Sequence, residues 1–235
     1  MPNVRHNLEN IKLLIKVAIK HYAAEKTSVQ LLAVSKARSC EEIRAAYQVG
    51  QVAFGENYLQ EALPKIKSLA DLPLEWHFIG RVQSNKTKQI AAYFSWIHSV
   101  CSLKVAERLN EQRPQNLAPL NICIQVNTSQ EPTKAGAKLE ELPKLVSLIS
   151  QLPNIHLRGL MALPAPVDPM LKGRVKFEAQ RQAYKKLYST FLDLKKEFND
   201  LDTLSIGTSQ DFMAAIAEGA TIVRIGTDIF GTRRQ

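Results

Sequence analysis

The chain has 235 residues, 45% of them apolar and 23% charged. These proportions are those of a globular domain and exclude a disordered tail, a fibrous repeat and a collagen-like chain. The formal charge of +9, from 31 basic and 22 acidic residues, permits nucleic acid, acidic membrane or a phosphorylated small molecule as partner and does not choose among them.

Residues 4–25 place Val4, Leu8, Ile11, Leu14, Ile15, Ala18, Ile19 and Tyr22 at helical spacing. Leu31-Leu32-Ala33-Val34 is a short, wholly apolar run, the mark of a parallel strand covered on both faces. Ser39 with Glu42 three residues on has capping-box spacing. The helix it opens runs to Val49, and Gly50 stops it. Apolar runs recur near 52–55, 76–79, 96–100, 121–127, 156–161, 203–206 and 222–225. Helical patterns fill the gaps, at about 58–69, 84–94, 102–112, 138–151, 174–198 and 209–218.

Eight strands, each but the last followed by a helix, argue for a parallel sheet with crossover helices. Eight such units in 235 residues match a (β/α)8 TIM barrel, an α/β fold of typically about 250 residues. The extra N-terminal helix at 4–25 would take the place of the missing eighth. No linker splits the chain, so 1–235 is expected to be one domain; Pro164, Pro166 and Pro169 mark a long loop after the sixth strand. The competing fold is an open doubly wound sheet, and the lack of GxGxxG after the first strand counts against it.

Cys40, Cys101 and Cys123 are widely spaced. They form neither a disulfide framework nor a zinc pattern, so a reducing compartment and no metal are expected. The N-terminus has no secretory h-region, and no apolar run approaches the roughly 20 residues of a membrane span. A cytoplasmic location follows as an expectation. Basic residues such as those in 172–196 fall along helix-like segments with few aromatics, which reads as solvated helix faces more than as a nucleic-acid surface.

In a barrel the chemistry lies at the C-terminal strand ends. The first strand ends at Ser35-Lys36, the second at Glu56-Asn57-Tyr58, the third at His77-Phe78-Ile79-Gly80. The seventh ends in Gly207-Thr208-Ser209, read as opening a helix, and the eighth in Gly226-Thr227. Small and hydroxyl residues at these last two ends suit an anion, because backbone N–H groups can approach it closely. Ordinary turn chemistry would use the same residues. Lys36, if it points into the mouth, is poorly hydrated, which favours a nucleophilic amine. Arg224 lies between Val223 and Ile225 on a strand that should be buried, so its guanidinium needs a partner there. A carbonyl-reactive lysine, a phosphate cradle and a buried arginine suggest pyridoxal 5'-phosphate (PLP). An arginine at the ring nitrogen can only donate, which keeps that nitrogen unprotonated and weakens the electron sink.

At these residues the chain resembles the pyridoxal phosphate homeostasis protein family. The motifs are LLAVSK (31–36), FGENYLQE (54–61), LEWHFIGRVQSNK (74–86), IQVNTSQEPTKAG (124–136), LRGLMALP (157–164), SIGTSQDFMAAIAEG (205–219) and VRIGTDIFG (223–231). The resemblance implies a monomeric, PLP-bearing barrel like the N-terminal domain of alanine racemase. Its role would be to buffer or supply PLP, with related B6 vitamers and transient contact with apo PLP-enzymes as partners, and without established catalysis. It places the Schiff-base lysine at Lys36, the ring-facing arginine at Arg224 and phosphate contacts at Ser209, Gly226 and Thr227. Asn57 and His77 would line the same mouth. Lys134 matches a lysine of the loop after the fifth strand, to which no chemistry is assigned. Thr208 stands where the family usually has methionine. Gln210-Asp211 carries the acidic residue of that turn, and Arg38 keeps a basic residue two after the lysine.

The main alternative is a PLP-dependent amino-acid racemase. It needs a second base, which alanine racemases take from another domain of the partner subunit; Tyr58 is the nearest candidate here. A nucleic-acid binder and a sugar-phosphate enzyme are further readings. For the last, Glu56 is the lone carboxylate at a strand end.

Overall fold

The computed structural model describes residues 3–22, 28–128 and 135–232. Its strands are β1 (Gln30–Val34), β2 (Ala53–Glu56), β3 (Glu75–Phe78), β4 (Trp96–Val100), β5 (Leu120–Val126), β6 (Ile155–Ala162), β7 (Thr203–Thr208) and β8 (Ile222–Ile225). All pair in parallel and close into a barrel in chain order. The ring shuts where Ala33 of β1 meets Ile225 of β8. The helices are α1 (Val4–Tyr22), α2 (Cys40–Tyr47), α3 (Leu59–Ser68), α4 (Thr87–Tyr93), α5 (Leu103–Gln112), α6 (Leu142–Ile149), α7 (Gly173–Glu197), α8 (Phe212–Ala217) and α9 (Thr227–Phe230). A 3-10 turn, Leu139–Glu141, precedes α6. The expected (β/α)8 TIM barrel is the fold.

Strand alternation sorts the side chains into two populations. Leu31, Ala33, Phe54, Phe78, Ile97, Ile122, Ile124, Leu204, Ile206, Val223 and Ile225 join the large apolar core that lies between sheet and helices. The alternate positions face the barrel axis. There Leu32, Ala53 and Ile222 form one small apolar cluster and Trp96, Cys123 and Met161 another. Among them stand the buried polar residues His77, His98, Thr203, Ser205 and Arg224. The runs that read as uniformly apolar therefore carry a polar minority on the inner face.

Helix α1 buries Val4, Leu8, Ile11, Ile15 and Ala18 and packs on α2, α8 and α9. It fills the eighth-helix position, as its apolar stripe implies. The barrel also departs from expectation at β8, which is followed by the single-turn helix α9. The Ser39–Glu42 capping box is formed in both directions. Helix α8 begins at Phe212, three residues past Ser209, because Asp211 ties the intervening turn: its Oδ1 accepts from the Thr208 backbone N–H at 2.7 Å and from the Thr208 hydroxyl at 3.0 Å. Helix α7 keeps Tyr184, Leu187, Phe191 and Leu194 on its buried face. Its lysines project outward as a solvated surface.

Gly80 shows how tightly the rim is built. A Cβ there would sit 1.8 Å from the Asn57 carbonyl oxygen, which is backbone and can yield only by shifting the end of β2. Gly80→Ala is expected to cost about 2–3 kcal/mol in denaturant unfolding, at the upper end for overpacking. An unchanged midpoint would show that the rim is more compliant than this contact implies.

Candidate functional site

A cavity of about 400 Å³ opens at the C-terminal rim. Lys36, Asn57, Ser209, Arg224, Gly226 and Thr227 line it, together with Ile79, Gln125, Met161 and Gln210. The structure thus gathers six of the seven expected site residues from four strand ends. Lys36 is half-buried and follows β1 directly.

The backbone on either side of Lys36 is held from behind. The Ser35 hydroxyl donates to Glu56 Oε1 at 2.6 Å, and Lys65 Nζ donates to the Ser35 carbonyl at 2.8 Å. Lys65 also reaches Glu56 at 2.9 Å and Glu61 at 2.5 Å. The Ala37 N–H donates to Glu61 at 2.5 Å. Ala37 adopts φ 58°, a left-handed conformation that a non-glycine residue holds only against a cost. Glu56 is fully buried in this cluster, between β2 and α3, instead of standing at the rim as a lone carboxylate. Burial pushes its pKa up, and Lys65 works against that.

The β7 and β8 loops form the adjoining wall, on the side where β8 pairs with β1. Gly207 has φ 90°, which turns the chain sharply before Thr208. Asp211 Oδ2 accepts from the Tyr184 hydroxyl at 2.6 Å. Burial and the neighbouring Asp211 charge push the Tyr184 phenol well above its usual range, so it remains a donor. Thr208 directs its hydroxyl to Asp211. A Cβ on Gly226 would meet the Val34 carbonyl oxygen at 3.2 Å and Val34 Cβ at 3.3 Å, so the absence of a side chain lets β8's end pass close to β1's. Arg38 donates to the Phe230 carbonyl at 2.9 Å and to that of Gly231 at 2.5 Å, which ties α9 to the β1 side. Burial pushes the Asp228 carboxyl up, and the nearby Ser209 hydroxyl works against that shift.

Arg224 is 6% exposed. Its Nη1 donates to the Ser205 carbonyl at 2.5 Å and hydroxyl at 2.8 Å, and its Nη2 to the Ala162 carbonyl at 2.9 Å. These are the partners that a guanidinium on a buried strand requires. Burial lowers its pKa from a high ordinary value, so it stays charged.

His77 is not brought to the mouth. It is fully buried in the layer beneath, stacked on Trp96 at 5.4 Å between ring centroids. It bonds Glu75 at 2.6 Å and His98 at 2.8 Å. Its position on β3, two residues below the rim-lining Ile79, places it there. Tyr58 is 65% exposed and lines an adjacent groove with Arg81 and Lys86. Lys134 lies outside the described residues. Sequence reasoning missed His98 and Ser205, although His98 in Trp96-Ile97-His98 interrupts an apolar run just as Arg224 does.

Both buried imidazoles have lowered pKa values. For His77 burial dominates and the Glu75 bond opposes it; for His98 burial is joined by repulsion from His77 and Arg224. In the unfolded chain each would take a proton near 6.5, so the unfolded state binds protons that the native state refuses. Stability is therefore unaffected above that pH and falls as pH drops below it, by up to about 1.4 kcal/mol per pH unit for each histidine. Denaturant unfolding of a His98→Gln variant between pH 6.5 and 5 is expected to show a correspondingly shallower slope. An unchanged slope would place the proton uptake elsewhere.

Fold and rim together define a barrel of the alanine racemase N-terminal-domain class, and the family model described as "Alanine racemase, N-terminal domain" matches residues 3–234. A Pseudomonas aeruginosa protein named pyridoxal phosphate homeostasis protein is 49% identical over 99% of this chain and 97% of its own. Its namesake in Escherichia coli K12 is 44% identical over 99% and 98%. The chain belongs to the pyridoxal phosphate homeostasis protein family. Among solved structures, PipY of Synechococcus elongatus with PLP bound is 35% identical, with a TM-score of 0.81 over 97% of this chain and 100% of that one. Alanine racemase of Corynebacterium glutamicum, at 17% identity and a TM-score of 0.68 over 62% of its length, shares the fold.

No helix among the described residues is long and apolar enough to cross a membrane.

Proposed function

We propose that this chain, as one domain over 1–235, binds PLP at the rim cavity and serves as a cytoplasmic, monomeric PLP buffer. Related B6 vitamers and transient contact with apo PLP-enzymes belong to the same reading. The observation that carries it is the shared cavity: an amine at Lys36, hydroxyl and backbone donors at Ser209, Gly226 and Thr227, and a fixed cation at Arg224, all facing one space of about 400 Å³. The donor set fits the group, and Gly226 leaves open the space that a Cβ would narrow against Val34. Support from relatives lies in the PLP bound by PipY and in the homeostasis names of the proteins at 44–49% identity.

When bound, PLP supplies an aldehyde that an amine captures with loss of water, and a phosphate that needs donors. Lys36 would provide the amine, with its flanking backbone fixed by the Ser35–Glu56–Lys65–Glu61 cluster. Ser209, Gly226 and Thr227 would hold the phosphate. Arg224 would face the pyridine edge as a donor only. His77 would act on the site from beneath.

The racemase reading requires a second base at the cavity. Among the described residues no tyrosine lines it, and the alanine racemase likeness at 17–18% identity concerns fold alone.

The test is incubation of the purified protein with PLP, a visible absorption spectrum, borohydride reduction and mass mapping. One adduct per chain on the peptide holding Lys36 is expected. A colourless protein with no adduct overturns the reading.

A further inference from the structure

We infer that Glu75, His77, His98 and Ser205 form a one-way hydrogen-bond relay through the barrel interior that positions Arg224, so that a carboxylate on the barrel floor sets the donor–acceptor polarity at the rim. This rests on the assignment of PLP to the rim cavity, with Arg224 at its ring edge.

The chain of contacts is continuous. Glu75 Oε1 lies 2.6 Å from His77 Nε2, and His77 Nδ1 lies 2.8 Å from His98 Nε2. His98 Nδ1 lies 2.7 Å from Ser205 Oγ, which lies 2.8 Å from Arg224 Nη1. His77, His98 and Ser205 are fully buried; only Glu75 reaches solvent, with 39% of its side chain exposed. Glu75 is at the start of β3 and also accepts from Gln30 at 3.3 Å.

The proton positions follow from one end. The ionised carboxylate of Glu75 can only accept, so His77 carries its proton on Nε2. A neutral imidazole has one donor and one acceptor, so His77 Nδ1 accepts and His98 must donate from Nε2. His98 Nδ1 is then the acceptor, and the Ser205 hydroxyl donates to it. That leaves the Ser205 oxygen presenting only lone pairs to Arg224, which can only donate. Every link points the same way, from guanidinium to carboxylate. Reversing any link would turn the Ser205 hydrogen toward the guanidinium. Because Arg224 cannot accept, the chain cannot run backwards as a proton wire. Its role is positioning: it holds the guanidinium planar against Ser205 and Ala162 while leaving the counter-carboxylate at the far end.

A side chain used only for packing would not show this directionality, and two measurements test it. Nitrogen-15 NMR of the histidines in the protein without PLP is expected to show His77 and His98 neutral, both as the Nε2–H tautomer. An Nδ1–H tautomer or an imidazolium at either position overturns the relay. Then Glu75→Ala, which removes the terminal acceptor, is loaded with PLP. Retention is expected to weaken about two- to tenfold, the scale of one hydrogen bond, with a displaced visible band. Glu75→Gln, whose amide oxygen still accepts from His77, restores both. If wild type takes up PLP and Glu75→Ala matches it in band and retention, the relay does not position Arg224. If wild type takes up no PLP, the assignment of the rim cavity is what fails, and the tautomers alone decide the relay.

Discussion

Lys36→Ala is expected to abolish the borohydride-trapped PLP adduct completely while PLP still binds reversibly. The other nitrogen-bearing side chains that line the cavity among the described residues are Asn57, Arg81, Gln125, Gln210 and Arg224. None offers a nucleophilic amine: amides and guanidinium groups do not add to aldehydes at neutral pH. Loss is therefore total and not graded. Reversible binding would persist because the proposed phosphate donors at Ser209, Gly226 and Thr227 and the cation at Arg224 are untouched. Lys36 is half-buried, and its removal should shift stability by no more than about 1 kcal/mol. Lys36→Arg sharpens the comparison, since it keeps the charge and discards the nucleophile. A trapped adduct of wild-type yield in Lys36→Ala, mapped to another lysine, would move the site.

The second large effect is at Arg224. Arg224→Glu is expected to destabilise the fold by about 3–5 kcal/mol, the range for a buried charge left without its partner. The guanidinium donates to two carbonyls and a hydroxyl at 2.5–2.9 Å. A carboxylate in its place would confront those same oxygens with nothing to donate. The barrel would lose PLP because it loses the rim itself. Arg224→Gln separates the two causes. Its amide keeps donors for part of this set, so the stability loss should fall to about 1–3 kcal/mol, and weakened PLP retention then reports on the ring edge. Denaturant midpoints and equilibrium dialysis on both variants give the comparison. A wild-type midpoint for Arg224→Glu would mean that the arginine is not bonded as the structure shows.

Much of the barrel can be read from the chain because each parallel strand covered by helices leaves an unbroken apolar stretch, and each intervening helix leaves a 3.6-residue stripe. Leu31-Leu32-Ala33-Val34 and the Ser39–Glu42 pair are examples. The rim residues Lys36, Arg224, Gly226 and Thr227 are legible for a different reason: they are polar or small where an apolar strand ends or is interrupted. The depth of a side chain is not legible. His77 and Ile79 differ by two positions on one strand end, yet one is in the middle layer and the other at the mouth, and only the register of the closed sheet separates them. Glu56 beside Asn57 shows the same limit across the sheet: one faces helix α3 and the other the cavity, because neighbours on a strand point to opposite sides. Helix α8 starts late for a local reason that composition hides, the Asp211 carboxylate claiming the Thr208 N–H.

The closure of β1 on β8 has a temporal consequence. Lys36 and the Gly226–Thr227 loop are far apart in sequence and become neighbours only when Ala33 pairs with Ile225. During synthesis the Lys36 amine emerges well before β8, the strand that pairs beside it. A ribosome-held fragment ending before β8 has no enclosed pocket around that amine. If Lys36 captures the vitamer as proposed, loading waits until β8 has been made, and an amine-bound vitamer would mark a chain in which β1 and β8 have paired.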